Sequence, residues 1–159
     1  MNTDAMRSVS AFHGLTDEEL QQVMCCCEEI DLEGDTFIFK EKDPADHLYT
    51  LRQGKVAIRY KLPHRTLGNE HPIATITSGG TFGWSCLDSG ARYRFSAYCV
   101  EDNSRALRCE RSRLLEVLDR HHTIGYKIMK NLAVVAGARF VALQNEIARR
   151  QGHDFMNGW

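Results

Sequence analysis

Six cysteines and seven histidines are the side chains of this 159-residue chain best able to bind a metal or attack an electrophile, so their spacing decides which chemistry is open. Cys25, Cys26 and Cys27 are consecutive, whereas Cys86, Cys99 and Cys109 stand alone. Adjacent side chains on a helix point about 100° apart, so the triplet does not offer the paired thiolates of a Cys-x-x-Cys motif. The cysteines therefore read as small, half-buried apolar residues in a reducing cytosol rather than as metal ligands or a disulfide framework. No helix carries histidines at i and i+4, no His-x-His occurs, and His47, His64 and His71 lack the spacing of a metal site. His121 and His122 read as a polar helix start. A metal site, a cofactor attached through Cys-x-x-Cys-His and a catalytic constellation are all without support.

The remaining polar chemistry is basic. Arg92 and Arg94 lie two apart and share one face of a strand, with Tyr93, Phe95 and Ala97 on the other. Guanidinium groups so placed suit a phosphate or carboxylate. Arg139 is the lone basic residue in the apolar run 132–143. Over the whole chain, 20 basic and 21 acidic residues leave a net charge of -1, so there is no broad positive field for nucleic acid. No direct DNA contact is expected.

These groups must be held by the elements around them. Thr16, followed three residues later by Glu19, has the form of a capping box, with Leu15 and Leu20 as a hydrophobic staple. Leu20, Val23, Met24 and Cys27 then give one apolar face of a helix that ends near Cys27 or Glu28. Between residues 30 and 109 the apolar period changes to two, as in Phe37 and Phe39, Tyr49 and Leu51, and Val56, Ile58 and Tyr60. Turn signals at Gly34, Asp43-Pro44, Gly54, Leu67-Gly68-Asn69, Gly79-Gly80 and Asp102-Asn103 separate these runs. Many short strands at close spacing argue for a sandwich or roll rather than a parallel sheet. Leu114, Leu115 and Leu118 mark a short helix, and a proline-free helical pattern covers 123–150. Residues 1–11 read as a loose lead-in without a signal peptide, and 152–159 as a frayed tail in which Phe155 and Trp159 are the only docking candidates. The run 132–143 is too short to cross a bilayer, so a soluble, cytoplasmic protein is expected.

The order of elements and several exact residues converge at this point. Phe12-x-x-Leu15, Glu19-Leu20, Gly34, Ile38-Phe39, Asp43-x-Ala45-Asp46-x-Leu48-Tyr49-x-Leu51-x-x-Gly54-x-Val56 and Gly79-Gly80-x-Phe82-Gly83 resemble the cyclic-nucleotide-binding domain of the catabolite-activator and nitrate-reductase-regulator superfamily. The resemblance runs from Phe12 into the long last helix, giving a domain over 12–151. It implies an α+β, mainly β fold: a β-roll of the double-stranded β-helix, jelly-roll type, flanked by an N-terminal helix and a long C-terminal helix. It also implies that Gly83, Trp84, Ser85 and Cys86 belong to a segment whose backbone N–H groups hold a cyclic phosphate. The family places a glutamate directly after this glycine for the ribose hydroxyl, and Trp84 stands there instead. The family's phosphate arginine, which precedes a small residue, falls on Arg94 by one spacing and on Tyr93 by another, with Arg92 close by and Phe95 in place of the small residue.

The implied function is a non-catalytic sensor or regulatory domain, with cAMP or cGMP as the implied ligand. Loss of the glutamate at Trp84 makes a degenerate pocket an equal reading: another small anionic ligand, or a ligand-free dimerisation and docking module for a signalling protein. A haem-sensing variant and a metal-dependent cupin-type enzyme are the remaining alternatives. The family's transcription factors continue into a helix-turn-helix after the long helix, whereas this sequence stops at Trp159. Leu132, Val135, Ala136, Arg139, Phe140, Leu143 and Ile147 spread around more than half of the last helix. One apolar stripe is enough to cover a roll, so the excess is expected to form a homodimer.

Overall fold

The computed structural model describes residues 4–60 and 71–156. The N-terminal part contains helix α1 (Asp4–Arg7), a 3-10 turn at Ser10–Phe12 and helix α2 (Asp17–Met24). Strands β1 (Cys27–Leu32), β2 (Phe37–Phe39), β3 (His47–Gln53), β4 (Val56–Tyr60), β5 (His71–Ile76) and β6 (Thr81–Phe82) follow. After a 3-10 turn at Trp84–Leu87 come β7 (Ser96–Cys99), β8 (Ser104–Glu110), α3 (Arg111–Arg120) and α4 (His122–Met156). The strands form two antiparallel four-stranded sheets, ordered β1-β8-β3-β6 and β2-β7-β4-β5. Consecutive strands therefore alternate between the sheets through most of the roll, which is the expected β-roll flanked by helices.

The core lies between the sheets because one face of each strand is apolar. Leu48, Leu51, Val56, Ile76, Phe82, Ala97, Ala106 and Leu107 are almost fully buried, and burial of a large aliphatic or aromatic side chain contributes about 1.5–3 kcal/mol. At α2 the capping box forms: Glu19 N–H donates to Thr16 Oγ1, and Thr16 N–H donates to the Glu19 carboxylate at 2.8 Å. Leu15 and Leu20 are both buried beside it.

Several boundaries differ from the sequence reading. Residues 4–12 are not a loose lead-in: Met6, Val9, Ala11 and Phe12 are buried, Ser10 N–H donates to Gly79 O at 2.9 Å, and Ser10 Oγ is 2.9 Å from Thr81 Oγ1. Helix α2 stops at Met24, and the chain enters β1 at Cys27 by pairing with β8. Helix α4 continues through 152–156, where a frayed tail was expected. The turn at Leu67–Asn69, His64 and Trp159 lie outside the described residues, as does the side chain of Phe155.

The cysteine reading is corrected as well, because Cys27 and Cys109 form a disulfide across 82 residues of sequence. Antiparallel pairing sets them opposite each other on β1 and β8. Glu110 N–H donates to Cys26 O at 3.0 Å, so the next rung, Cys27 with Cys109, is one where opposed side chains come closest. Spacing along the chain does not reveal this approach. Cys25, Cys26, Cys86 and Cys99 remain free.

Helix α4 positions the site. Ile124, Ile128 and Leu132 are buried against the roll, and Asn131 Nδ2 donates to Ala11 O at 3.0 Å and His13 O at 2.8 Å. Lys127 Nζ lies 2.6 Å from the Glu19 carboxylate, tying α4 to the start of α2. Beyond Leu132 the helix runs on for about 36 Å, with Val134, Phe140, Val141 and Ile147 exposed. No helix among the described residues is long and apolar enough to cross a membrane.

Candidate functional site

The site begins where β6 ends. Gly83 takes a left-handed φ of 76°, and a Cβ there would lie 3.0 Å from His47 O. Only glycine meets both demands without strain, and the reversal starts the 3-10 turn that carries Trp84, Ser85 and Cys86. Gly83, Trp84 and Ser85 line a small cavity together with Phe39, Ile58, Phe82, Tyr93, Phe95 and Arg139. Three parts of the chain thus meet: the β-roll interior, the turn after β6 and the middle of α4.

Aromatic rings fill most of the space behind this cavity. Phe39 stacks on Tyr93 with centroids 3.6 Å apart, and Tyr49 stacks on Phe82 at 5.2 Å. Tyr93 fixes its ring further through its hydroxyl, which donates to His47 O at 3.0 Å and accepts from His47 N–H at 3.3 Å. Burial raises the Tyr93 and Tyr49 hydroxyls above the ordinary tyrosine range. The free volume that remains is about 20 Å³, room for a water molecule and far below the several hundred Å³ of a typical small-molecule site.

Arg139 is the cation of this cavity. It reaches in from α4, makes no hydrogen bond or ion pair with a described residue, and desolvation lowers its pKa from the usual arginine value. An unpaired, partly desolvated guanidinium facing a cavity attracts an anion.

The other residues singled out in the sequence take different places. Ser85 is buried, and its hydroxyl accepts from Arg94 N–H at 3.4 Å. Cys86 is fully buried beneath the turn, where desolvation pushes its thiol up to about 12 and its own N–H donates to Gly83 O at 3.1 Å. That thiol is held protonated, and its amide is already used. Arg92 and Arg94 do not share a strand face: Arg92 makes an isolated antiparallel bridge with Pro44, and β7 starts only at Ser96. Ala91, with φ 39°, turns the segment, and Tyr93 N–H donates to Asp43 O at 3.0 Å. The Arg94 guanidinium pairs with the Asp88 carboxylate, which holds that acid below its ordinary pKa. Arg92 Nη1 donates to Lys42 O at 2.8 Å.

Both arginines line a second pocket, on the outer side of Tyr93 and Phe95, with Glu41, Lys42, Tyr60 and Leu143. The structure therefore brings Gly83, Trp84 and Ser85 together with Arg139 and sets Arg92 and Arg94 around a neighbouring cavity. Lys42 and Tyr60 were missed in the sequence, where no spacing relates them to Arg92. Among the described residues no group of three His, Cys, Asp or Glu side chains is placed to hold a metal ion.

Residues 29–121, more than half of the chain, match the family described as the cyclic nucleotide-binding domain. The chain belongs to that family. Among solved structures it is similar to a Geobacter metallireducens GS-15 protein provisionally assigned as cyclic nucleotide-binding, with 27% identity and a TM-score of 0.74 over 88% of this chain and 98% of that one. It is also similar to the Thermus thermophilus catabolite activator protein, with 23% identity and a TM-score of 0.70, covering 89% of this chain and 63% of that one. A cyclic nucleotide-binding domain from Methylobacillus flagellatus shares the fold at 19% identity and a TM-score of 0.76, over 92% and 80% of the two chains. No curated protein matches significantly.

Proposed function

We propose that this chain is a non-catalytic regulatory module in which an anion held by Arg139 beside Gly83, Trp84 and Ser85 links the β-roll to helix α4, and α4 in turn pairs with a second copy. The observation that carries this reading is Arg139 itself. It stands on the helix proposed to form the dimer, yet lines the pocket of the roll without a hydrogen-bond or ion-pair partner among the described residues. A ligand that neutralises it acts on both elements at once, which is the differential contact that population shift needs.

A cyclic nucleotide is a poor fit to this pocket. Trp84 offers no acceptor to a ribose hydroxyl, Arg94 is engaged by Asp88, and the cavity holds only about 20 Å³. cAMP and cGMP are therefore weak ligands, and a smaller anion is the favoured occupant. The small cavity also supports a second reading, a docking module that works without ligand through the same helix. Neither reading requires catalysis, bound metal or DNA contact. A cytoplasmic setting fits the regulatory role, whereas the Cys27–Cys109 disulfide is of a kind that persists in oxidising compartments.

The exposed apolar residues of α4 support the dimer, although Leu132, expected at that interface, is instead buried against the roll. Val134, Phe140, Val141 and Ile147 are 42–71% exposed on one chain, and two-fold pairing covers the same patch on both copies. Sedimentation equilibrium at micromolar concentration tests the coupling. The proposal expects twice the 18.1 kDa chain mass, and an association constant that millimolar cAMP shifts in the unmodified protein but not in Arg139→Gln. A monomer under all conditions, or an equal shift in both proteins, refutes it.

A further inference from the structure

The cavity outside Tyr93 and Phe95 is larger than the one beneath α4, with a volume of about 390 Å³. Its rim is basic. Lys42, Arg92 and Arg94 all line it, and Lys42 and Arg92 have no carboxylate partner among the described residues. Glu41 is the one acid among the lining residues, and Arg94 is shared with Asp88. The inner wall is apolar: Phe95 meets Tyr60 edge to face with centroids 5.9 Å apart, and Leu143 of α4 closes the far side.

The basic rim is also held in place. Lys42 adopts a left-handed φ of 72°, a conformation that a lysine takes only when its surroundings impose it. Lys42 N–H donates to Tyr93 O at 2.8 Å, Arg92 Nη1 donates to Lys42 O at 2.8 Å, and Lys40 N–H donates to the Asp43 carboxylate at 2.8 Å. These bonds fasten the turn after β2 to the segment before β7. The two cations without carboxylates are thus brought to one side of an aromatic wall by backbone contacts rather than by attraction to an acid.

We infer that this cavity, which adjoins the Arg139 pocket across Tyr93 and Phe95, is a second ligand site for an amphipathic anion: a planar aromatic body carrying a terminal phosphate or carboxylate group. The aromatic body covers Tyr60, Phe95 and Leu143, and the anion meets Lys42 and Arg92. An inorganic anion leaves the apolar wall in water, and a neutral aromatic leaves the cations unpaired, so each half binds less well than the whole. Such a ligand touches α4 at Leu143, beyond the part of the helix buried on the roll.

Nuclear magnetic resonance titration of the full chain with phenyl phosphate tests this, with inorganic phosphate and phenol as separate probes. Saturable shifts centred on Lys42, Tyr60 and Leu143, which line this cavity and not the Arg139 pocket, are expected for phenyl phosphate, at concentrations about tenfold below those needed with either fragment. Lys42→Gln, an exposed side chain, is expected to weaken binding about tenfold, the loss of one charge-assisted hydrogen bond. Arg139→Gln is expected to leave it within about twofold, which separates this site from the proposed regulatory pocket. Shifts centred on Trp84 and Ser85, equal affinity for inorganic phosphate, no saturation, or unchanged affinity in a Lys42→Gln protein with normal thermal unfolding would each overturn the inference.

Discussion

Replacing Trp84 by glutamate is the perturbation that most directly probes the altered pocket. The indole is half-buried on the first residue of the turn after Gly83 and lines a cavity of about 20 Å³. Glutamate removes roughly half of that bulk and supplies the acceptor a ribose hydroxyl needs. One hydrogen bond to a charged group contributes about 1.5–3 kcal/mol, which converts to roughly a ten- to 150-fold gain in affinity for cAMP. Phe95 opposes part of this gain, since its ring lies against the same cavity and packs edge to face on Tyr60. The double variant Trp84→Glu with Phe95→Ser is therefore expected to bind more tightly than either single variant. Titration calorimetry with cAMP measures the gain, and thermal unfolding checks that the fold is retained. A folded Trp84→Glu protein whose affinity does not rise, alone or with Phe95→Ser, refutes the claim that Trp84 limits nucleotide binding.

Other outcomes follow from the same geometry. Thiol titration of the unfolded, unreduced protein should find four free thiols, rising to six after reduction; six without reduction would contradict the Cys27–Cys109 link. Closing an 82-residue separation stabilises by about 4.5 kcal/mol in the chain-entropy account, so Cys27→Ser with Cys109→Ser should lower the denaturation midpoint by a clear margin. Phe140 is 62% exposed, so Phe140→Glu should leave monomer stability nearly unchanged while shifting sedimentation toward 18.1 kDa. The Lys127 ammonium and the Thr16 N–H hold the Glu19 carboxyl below its ordinary value of 4.5. A depressed carboxylate stabilises the fold fully above that value and loses its contribution as pH falls through the folded pKa. Glu19→Gln should accordingly be less stable than the unmodified protein near pH 7, and the difference should shrink under acid in urea unfolding series.

The local signals were the most legible in the sequence. Thr16 and Glu19 cap α2 as their spacing requires, because a capping box is closed within four residues. The period-two runs mark strands because alternating burial is likewise a local property, and the motif residues place them in one family. What the sequence hid depends on distant partners. Cys27 and Cys109 become neighbours only through strand pairing, and Met6 and Val9 become core only once the roll exists to cover them. Arg92 and Arg94 read as a strand face, yet only Arg92 pairs, in an isolated antiparallel bridge with Pro44, and β7 does not begin until Ser96. Arg139 was conspicuous as a lone charge in an apolar run, but its direction into the pocket is set by how α4 crosses the roll.

In the proposed function Arg139 is the anion-binding group of a pocket poorly suited to tight cyclic-nucleotide binding. Titration calorimetry of the unmodified protein and Arg139→Gln with cAMP and cGMP, carried to millimolar ligand, tests it in one experiment. The account predicts dissociation constants on the order of a millimolar, about −4 kcal/mol, in the unmodified protein and no detectable binding in Arg139→Gln. Micromolar or tighter binding, or binding that Arg139→Gln leaves unchanged, would contradict it.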